Sequence, residues 1–321
     1  MAVKTVFSDA DFIDILAQYN LGAYSHSSAI HQGTVQTNYF LHTTAGKFVF
    51  RYYETRSRES VLFESDVLAY LSAHHYPCPS QIPSAQGAYV GVYRNKPFIL
   101  FEFVDGHVVE HPSFYQWQQL VEKAAELHKL TQSFHSPYTE HRWNYDVDLC
   151  RALALAAAER INTSSAHAKY TWLVHELTTL DLPPTVPKGI CHCDFHFSNV
   201  LFVGDSLVAV LDFDDANVTF LSFDLVGLIE SWAWPYPSDM LDLQRARSVL
   251  QEYMRHRALA LVEQQHVYDV YKLSILFDCA WYFHRGSADD FYEKHKIDAL
   301  NRLGRQGFFH ALFGAEQRAA V

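Results

Sequence analysis

The chemistry-bearing residues of this 321-residue chain gather in one stretch, His192-Cys193-Asp194-Phe195-His196-Phe197-Ser198-Asn199, with Asp212 thirteen residues after Asn199. Between residues 189 and 244 there is no Lys and no Arg, yet nine acids stand there: Asp194, Asp205, Asp212, Asp214, Asp215, Asp224, Glu230, Asp239 and Asp242. Several abut strand-like apolar residues, as in Val210-Leu211-Asp212-Phe213 and Ser222-Phe223-Asp224-Leu225. A carboxylate beside buried positions, with no cation nearby in sequence, is costly unless an ion or ligand compensates it. Solvated acidic faces seldom alternate with Val, Leu and Phe. Mg²⁺ would compensate, because it is hard, prefers oxygen, and takes a few carboxylates together with substrate phosphates. The expectation is a cation site rather than a charged surface.

An Asp five positions before an Asn, followed by a strand pair that ends in Asp, is the catalytic-loop arrangement of kinases. Phosphoryl transfer requires one carboxylate facing the attacking hydroxyl, and an Asn oxygen and a second carboxylate on the metal that bridges the phosphates. Two of these groups on one tight loop, and the third at the end of the adjoining hairpin, are expected to converge on one point. The hairpin itself is legible as Asn199–Val203 and Leu207–Phe213 around a Gly204-Asp205 turn.

The elements that must carry this loop follow from periodicity. Phe12, Ile15, Leu16 and Tyr19 have helical spacing behind Ser8, a plausible N-cap. Strand-like runs at Ala23–Ile30, Thr34–Thr43 and Lys47–Tyr53 are joined by short links, which predicts an antiparallel meander. Ser57 to His74 reads as a helix that ends before Tyr76-Pro77-Cys78-Pro79. Two more strands, Ala88–Tyr93 and Pro97–Val104, complete a five-stranded sheet with one long helix. After Asp105-Gly106 the chain turns helical. Trp117, Leu120, Val121, Ala124, Leu127 and Leu130 recur at three- and four-residue steps. Further helices are expected at 148–161, 166–181, 222–233, 239–262, 266–285 and 289–312. The fold class is α+β in two lobes, residues 1–105 and 106–321.

Composition narrows the function. With 25 Lys+Arg against 36 Asp+Glu, the formal charge is −11, which argues against a protein that tracks phosphates of nucleic acid. Aromatic residues at 15% and a charged fraction of only 19% exclude a disordered chain. No run reaches the ~18–20 apolar residues of a membrane span. The N-terminal Asp9, Asp11 and Asp14 do not fit a secretion signal, and five scattered cysteines do not suggest a disulfide framework. A cytoplasmic location, where ATP and Mg²⁺ are abundant, is the expectation.

At this level of detail the chain resembles the aminoglycoside-phosphotransferase superfamily, small-molecule kinases related in fold to protein kinases. That superfamily shows H-G-D-x-H-x-x-N-V-L, then I-D-F/W-x-x-A, then D-L-A. Here these read His192-Cys193-Asp194 through Asn199-Val200-Leu201, Leu211-Asp212-Phe213-Asp214-Asp215-Ala216, and Asp224-Leu225-Val226. Within it, the homoserine-kinase-type branch is most similar. The residues that point there are Gln32-Gly33 with Asn38-Tyr39, Pro77-Cys78-Pro79 with Ile82-Pro83, Phe101-Glu102-Phe103-Val104-Asp105-Gly106, and Asp-Phe-Asp-Asp-Ala.

The resemblance implies a protein-kinase-like fold and roles for particular residues. Asp194 matches the catalytic base or hydroxyl-orienting Asp, Asn199 and Asp212 the Mg²⁺ ligands, His192 the histidine that braces the loop, and Asp224 a structural Asp that holds it. Arg51 stands where the nucleotide-phosphate Lys is usual, with Glu64 as its ion-pair partner. Gly33 falls in the phosphate-covering turn, and Glu102 to Val104 form the hinge whose backbone meets adenine. Two departures stand out: Cys193 replaces Gly, and Arg51 replaces Lys, a planar fork for a compact point charge.

The implied reaction is Mg²⁺-dependent transfer of the γ-phosphoryl group of ATP to the hydroxyl of a small amino alcohol, with homoserine as first choice. An aminoglycoside or another aminated sugar or alcohol, choline-like in character, is the alternative acceptor. A nucleotide-binding pseudokinase is the alternative of another class. Zinc at Cys191, His192, Cys193 and His196 is disfavoured by spacing. His74, His75 and His128 read as capping or packed histidines. Trp232, Trp234 and Tyr236 read as packing rather than substrate contacts. Walker A, G-x-G-x-x-G and G-x-S-x-G patterns are absent.

Overall fold

Ser8 opens the first helix, α1 (Asp9–Leu16), through a capping box: its hydroxyl accepts the Asp11 N–H while the Asp11 carboxylate accepts the Ser8 N–H. Phe12, Ile15 and Leu16 are thereby turned inward, onto Leu41, Phe50, Tyr52, Phe98 and Leu100. Those residues line one face of a five-stranded antiparallel sheet: β1 (Tyr24–Ile30), β2 (Thr37–Thr43), β3 (Gly46–Tyr52), β4 (Val90–Tyr93) and β5 (Lys96–Glu102). Their order is β1-β2-β3-β5-β4, with Arg51 opposite Asn38 on one side and Ile99 on the other. The helix α2 (Arg58–Ala73) follows β3, capped by the Ser57 hydroxyl, and carries Glu64 on its buried side. The expected sheet and long helix are both present.

The computed structural model describes residues 4–31, 33, 35–234, 240–288 and 293–314. The chain divides into two compact units, the first made of Met1–His111, Ser133–Arg142 and Ser198–Asp214, the second of Pro112–Gln132, Trp143–Phe197 and Asp215–Val321. A hairpin of the first unit, β7 (Val200–Val203) with β8 (Ser206–Val210), is joined through its Phe202 to His107 by a reciprocal pair of backbone hydrogen bonds.

In the second unit, α3 (Phe114–Leu130), α4 (Val147–Ile161), α5 (Ser164–Thr178), α6 (Phe223–Ala233), α7 (Leu243–His256), α8 (Leu261–His284) and α9 (Lys294–Phe313) pack around a two-stranded ladder. The ladder pairs β6 (Lys188–Cys191) with β9 (Asn217–Phe220), antiparallel. The buried face of α3 contains Trp117, Leu120, Val121, Ala124 and Leu127, as its spacing requires. None of the described helices is long and apolar enough to cross a membrane.

Several expected boundaries are corrected. The second strand of the hairpin stops at Val210, not Phe213, because Asp212 adopts a left-handed backbone (φ +65°) and Phe213–Asp215 forms a 3₁₀ turn. The strands β6 and β9 were not anticipated; four residues are too few to display alternation. The helix expected at 166–181 ends at Thr178, ahead of Pro183. The helix expected to run to 262 ends at His256, and α8 begins at Leu261, where the Glu263 side chain accepts the Ala260 N–H. Gly304 (φ +67°) kinks α9. Residue 239 and residues 289–292 of the expected helices lie outside the described residues.

Candidate active site

In the first unit, Asn199 and Asp212 stand at the two feet of the β7–β8 hairpin. The Leu211 N–H donates to the Asn199 carbonyl at 2.7 Å, which closes the hairpin between them. Asp tolerates the left-handed backbone at 212 better than most residues, because its short polar side chain can bond locally. Its side chain is 40% exposed and so open to a ligand. Together the pair offers hard oxygen donors, an amide and a carboxylate, in keeping with what Mg²⁺ prefers.

Arg51, on β3, reaches this hairpin. Its Nη1 lies 2.7 Å from Asp212 Oδ1 and 3.9 Å from Glu64 Oε1, and its Nε donates to Asn38 Oδ1 at 3.2 Å. The planar fork therefore serves three neighbours at once, which an ammonium on the same strand would not reproduce. Burial raises the Glu64 carboxyl to about 7, although the Arg51 guanidinium pulls it down. Burial also pushes Asp214 upward, but Arg56, Arg51, Gln36 and Arg142 outweigh it and hold that carboxyl at about 2.

Other nucleotide-side expectations are placed as follows. Gly33 has φ +89°, a conformation that favours glycine, and its carbonyl accepts Lys4 Nζ at 2.8 Å. Glu102 ends β5, exposed, with its N–H donated to the Ser80 carbonyl at 2.9 Å, and Val104 is half-buried just beyond.

In the second unit, Asp194 is exposed at the tip of the loop that follows β6, while His192 is fully buried behind it. The His192 ring Nδ1 accepts the Asp194 N–H at 3.3 Å. Asp224, on α6, accepts the His192 N–H and the Cys193 N–H, one on each carboxylate oxygen, both at 2.8 Å. His128 Nε2 lies 3.0 Å from Asp224 Oδ2, and its Nδ1 lies 2.6 Å from the Tyr253 hydroxyl. A buried chain therefore runs from Tyr253 through His128 and Asp224 to the loop backbone. The helix passes so close that a Cβ on Gly227 would stand 2.9 Å from the Phe195 carbonyl oxygen.

Cys193 has φ +66°, which is why glycine suits this place in the pattern; its Sγ turns to the Cys191 carbonyl at 3.7 Å. A left-handed non-glycine residue costs about 1–3 kcal/mol, of which glycine's greater freedom in the unfolded chain returns roughly 0.5–1 kcal/mol. Cys193→Gly is expected to stabilise the protein by about 1 kcal/mol, read as a higher denaturation midpoint. A lower midpoint would show that the thiol contact outweighs the strain.

The acidic stretch is less bare than its sequence suggests, a correction to the expectation drawn from it. Its counter-charges and donors arrive from elsewhere in the chain: Arg51 at Asp212, Arg56 at Asp214, the loop amides and His128 at Asp224, and Lys296 at Glu230. Asp278, on α8, keeps solvent access yet lies deep among neighbouring atoms. Burial, and the charges of Glu293, Glu230 and Asp194, push its carboxyl well above the usual carboxylate range, against the pull of Lys296.

Ligand-type atoms of His128, Cys191 and Asp224 lie within 4.8 Å of one another. Burial raises the Cys191 thiol well above its ordinary value, and it donates to the Phe220 carbonyl at 3.3 Å, so this is a hydrogen-bonded core rather than a thiolate metal centre. His74 caps α2, with Nδ1 2.8 Å from the Tyr70 carbonyl oxygen. His75 follows with φ +59°. Trp232 stacks on Trp117 at 5.2 Å and Trp234 is buried, while Tyr236 lies outside the described residues. Sequence reasoning missed Gln36, Arg56, Arg142, Tyr253 and Lys296, none of which sits in a readable motif.

The APH family, described as the phosphotransferase enzyme family, matches residues 26–259. A homoserine kinase of Nitrobacter hamburgensis is 30% identical over 268 residues, covering 82% of this chain and 80% of that protein. One from Rhodospirillum rubrum is 31% identical over 266 residues, covering 82% and 81%. Among solved structures, an amicoumacin kinase, hAmiN, in complex with AMP-PNP, Ca²⁺ and Ami superposes with a TM-score of 0.67. It covers 94% of this chain and 93% of its own at 16% identity, and shows that the kinase-like fold is shared.

Proposed function

We propose that this chain, which belongs to the APH phosphotransferase enzyme family, transfers the γ-phosphoryl group of ATP to the hydroxyl of a small amino alcohol, with homoserine as the acceptor. The observation that carries the choice of acceptor is the 30–31% identity, over four fifths of the chain, to proteins named homoserine kinase.

Asp194 takes the proton of the acceptor hydroxyl as its oxygen bonds to the γ-phosphorus and the bond from that phosphorus to the β–γ bridging oxygen breaks. His192 and Asp224 hold the Asp194 backbone in place through the hydrogen bonds described above. Asn199 and Asp212 are assigned as ligands of Mg²⁺, which when bound neutralises charge on the phosphate oxygens. Gly33 covers the phosphates, Arg51 faces them with Glu64 behind it, and the Glu102–Val104 backbone meets adenine. Residues 1–105 thus carry the nucleotide-binding elements, and the helices after 106 carry the acceptor-binding ones. Chemistry of this kind is mostly positioning and charge neutralisation, performed where ATP is abundant, in the cytoplasm.

An acceptor panel with ATP and Mg²⁺ tests this reading by ADP release. Turnover is expected with homoserine. Turnover with aminoglycosides or amino sugars and none with homoserine overturns the acceptor. Nucleotide-dependent thermal stabilisation without turnover on any acceptor would mark a pseudokinase.

A further inference from the structure

Asp214 is not one of the residues that phosphoryl transfer itself requires, yet it is among the most heavily engaged carboxylates of the first unit. Its Oδ1 accepts Arg56 Nε at 3.0 Å and Arg56 Nη2 at 2.7 Å, and its Oδ2 accepts Gln36 Nε2 at 2.7 Å. Its carbonyl accepts Arg142 Nη2, and the same guanidinium donates to Ser60 Oγ at 2.9 Å in the first turn of α2, the helix of Glu64. Gln36 stands three residues after Gly33, is 4% exposed, and spends both ends of its amide: its Oε1 accepts the Glu54 N–H at 2.8 Å. Asp212 precedes this knot by two residues and is fixed on its other side by the Leu211–Asn199 hydrogen bond.

We propose that Gln36 and Asp214 are a positioning pair that ties the turn carrying Gly33 to the loop carrying Asp212, so that the phosphate-covering and metal-holding elements keep one register. The proposal rests on the nucleotide-binding reading above. Neither residue is called on to touch the nucleotide. Among the described residues, Gln36 is the arm of the knot that stands nearest Gly33 in the chain; Arg56, between β3 and α2, and Arg142, which also bonds Ser60 of α2, hold Asp214 from elsewhere. Cutting that arm should therefore loosen nucleotide binding while leaving Asp194, and the acceptor side, as they are.

Gln36→Leu fills the same space, removes the arm, and leaves the Arg56–Asp214 and Arg51–Asp212 pairs in place. Its expected effect is about a ten-fold weaker Kd for a non-hydrolysable Mg–ATP analogue by calorimetry. A matching rise in KM for ATP should appear, with kcat within about three-fold and acceptor KM unchanged. Gln36→Glu sets two carboxylates face to face and should be worse. Combining Gln36→Glu with Asp214→Asn restores a donor opposite an acceptor with reversed polarity and should recover most of the affinity. A purely structural pair would lower the denaturation midpoint of each variant without moving Kd, and that result overturns the proposal. So does a double variant as weak as the sum of its parts. Wild-type protein that binds no nucleotide would instead sink the reading beneath it. Wild-type affinity retained in Gln36→Leu sinks this proposal alone.

Discussion

Replacing Asp194 with Asn is expected to lower kcat by about 100- to 10,000-fold, the range in which a positioned proton acceptor contributes, with the affinity for Mg–ATP unchanged. The substitution keeps the size and shape of the side chain and removes only its charge and proton affinity. It is also a mild change for the fold, since Asp194 is exposed and its backbone N–H is held by the His192 ring. Surface substitutions of this kind usually shift stability by no more than about 0.5 kcal/mol, so a lost rate cannot be blamed on unfolding. Steady-state ADP release gives the rate, and thermal stabilisation by Mg–ATP gives the binding. A variant that keeps a third or more of the wild-type rate would remove Asp194 from the reaction.

The loop's support adds a contrast. Asp224 acts through two backbone N–H groups, and its own charge faces His128 rather than solvent. Its loss would cost folding as well as rate, because a fully buried carboxylate with several partners leaves all of them unsatisfied when it goes. Asp194 and Asp224 are thus separable by experiment even though both stand in the same acidic stretch.

What could be read in advance follows from how far each interaction reaches along the chain. The sheet, α1 and α3 were legible because their periodicity is local: Phe12, Ile15 and Leu16, or Trp117, Leu120 and Val121, report their face within a turn or two. The motif residues were legible because the loop and the hairpin are contiguous in sequence. The strands β6 and β9 were not, since four residues each cannot show a period. Nor were the partners of the acids. Arg56 and Asp214 are 158 positions apart, and His128 and Asp224 are 96 apart. A stretch of nine acids without a base therefore looked like an uncompensated charge awaiting a metal, whereas most of that charge is answered by the protein's own arginines, lysines and amides. Asp212, with one guanidinium partner and an open face, and exposed Asp194 keep the character the sequence suggested.

Removing that guanidinium should be the most costly substitution for the fold. Arg51→Met keeps length and bulk but leaves Glu64, 1% exposed, without its ion-pair partner and with only the weaker pull of Arg142, and breaking a buried pair in this way costs up to about 3–5 kcal/mol when the carboxyl is ionised. The cost should depend on pH with a definite sign. In the wild type the folded Glu64 carboxyl sits at about 7 against an ordinary value of 4.5. The native state therefore keeps a proton that the unfolded chain releases, and this group's contribution to stability falls as pH rises between those values, by at most about 3 kcal/mol. Above 7 the wild-type contribution levels off, since both states are then ionised. Arg51 is one of the groups that lowers the Glu64 carboxyl, so its loss raises that value further and extends the fall beyond pH 7. Urea denaturation at pH 6 and pH 8.5 should show a modest deficit at the lower pH and a clearly larger one at the higher. Glu64→Gln added to Arg51→Met should abolish the difference, because an amide has no proton to release. A deficit equal at both pH values would mean that Arg51 stabilises the fold through Asp212 and Asn38 alone, and that Glu64 is not its functional partner.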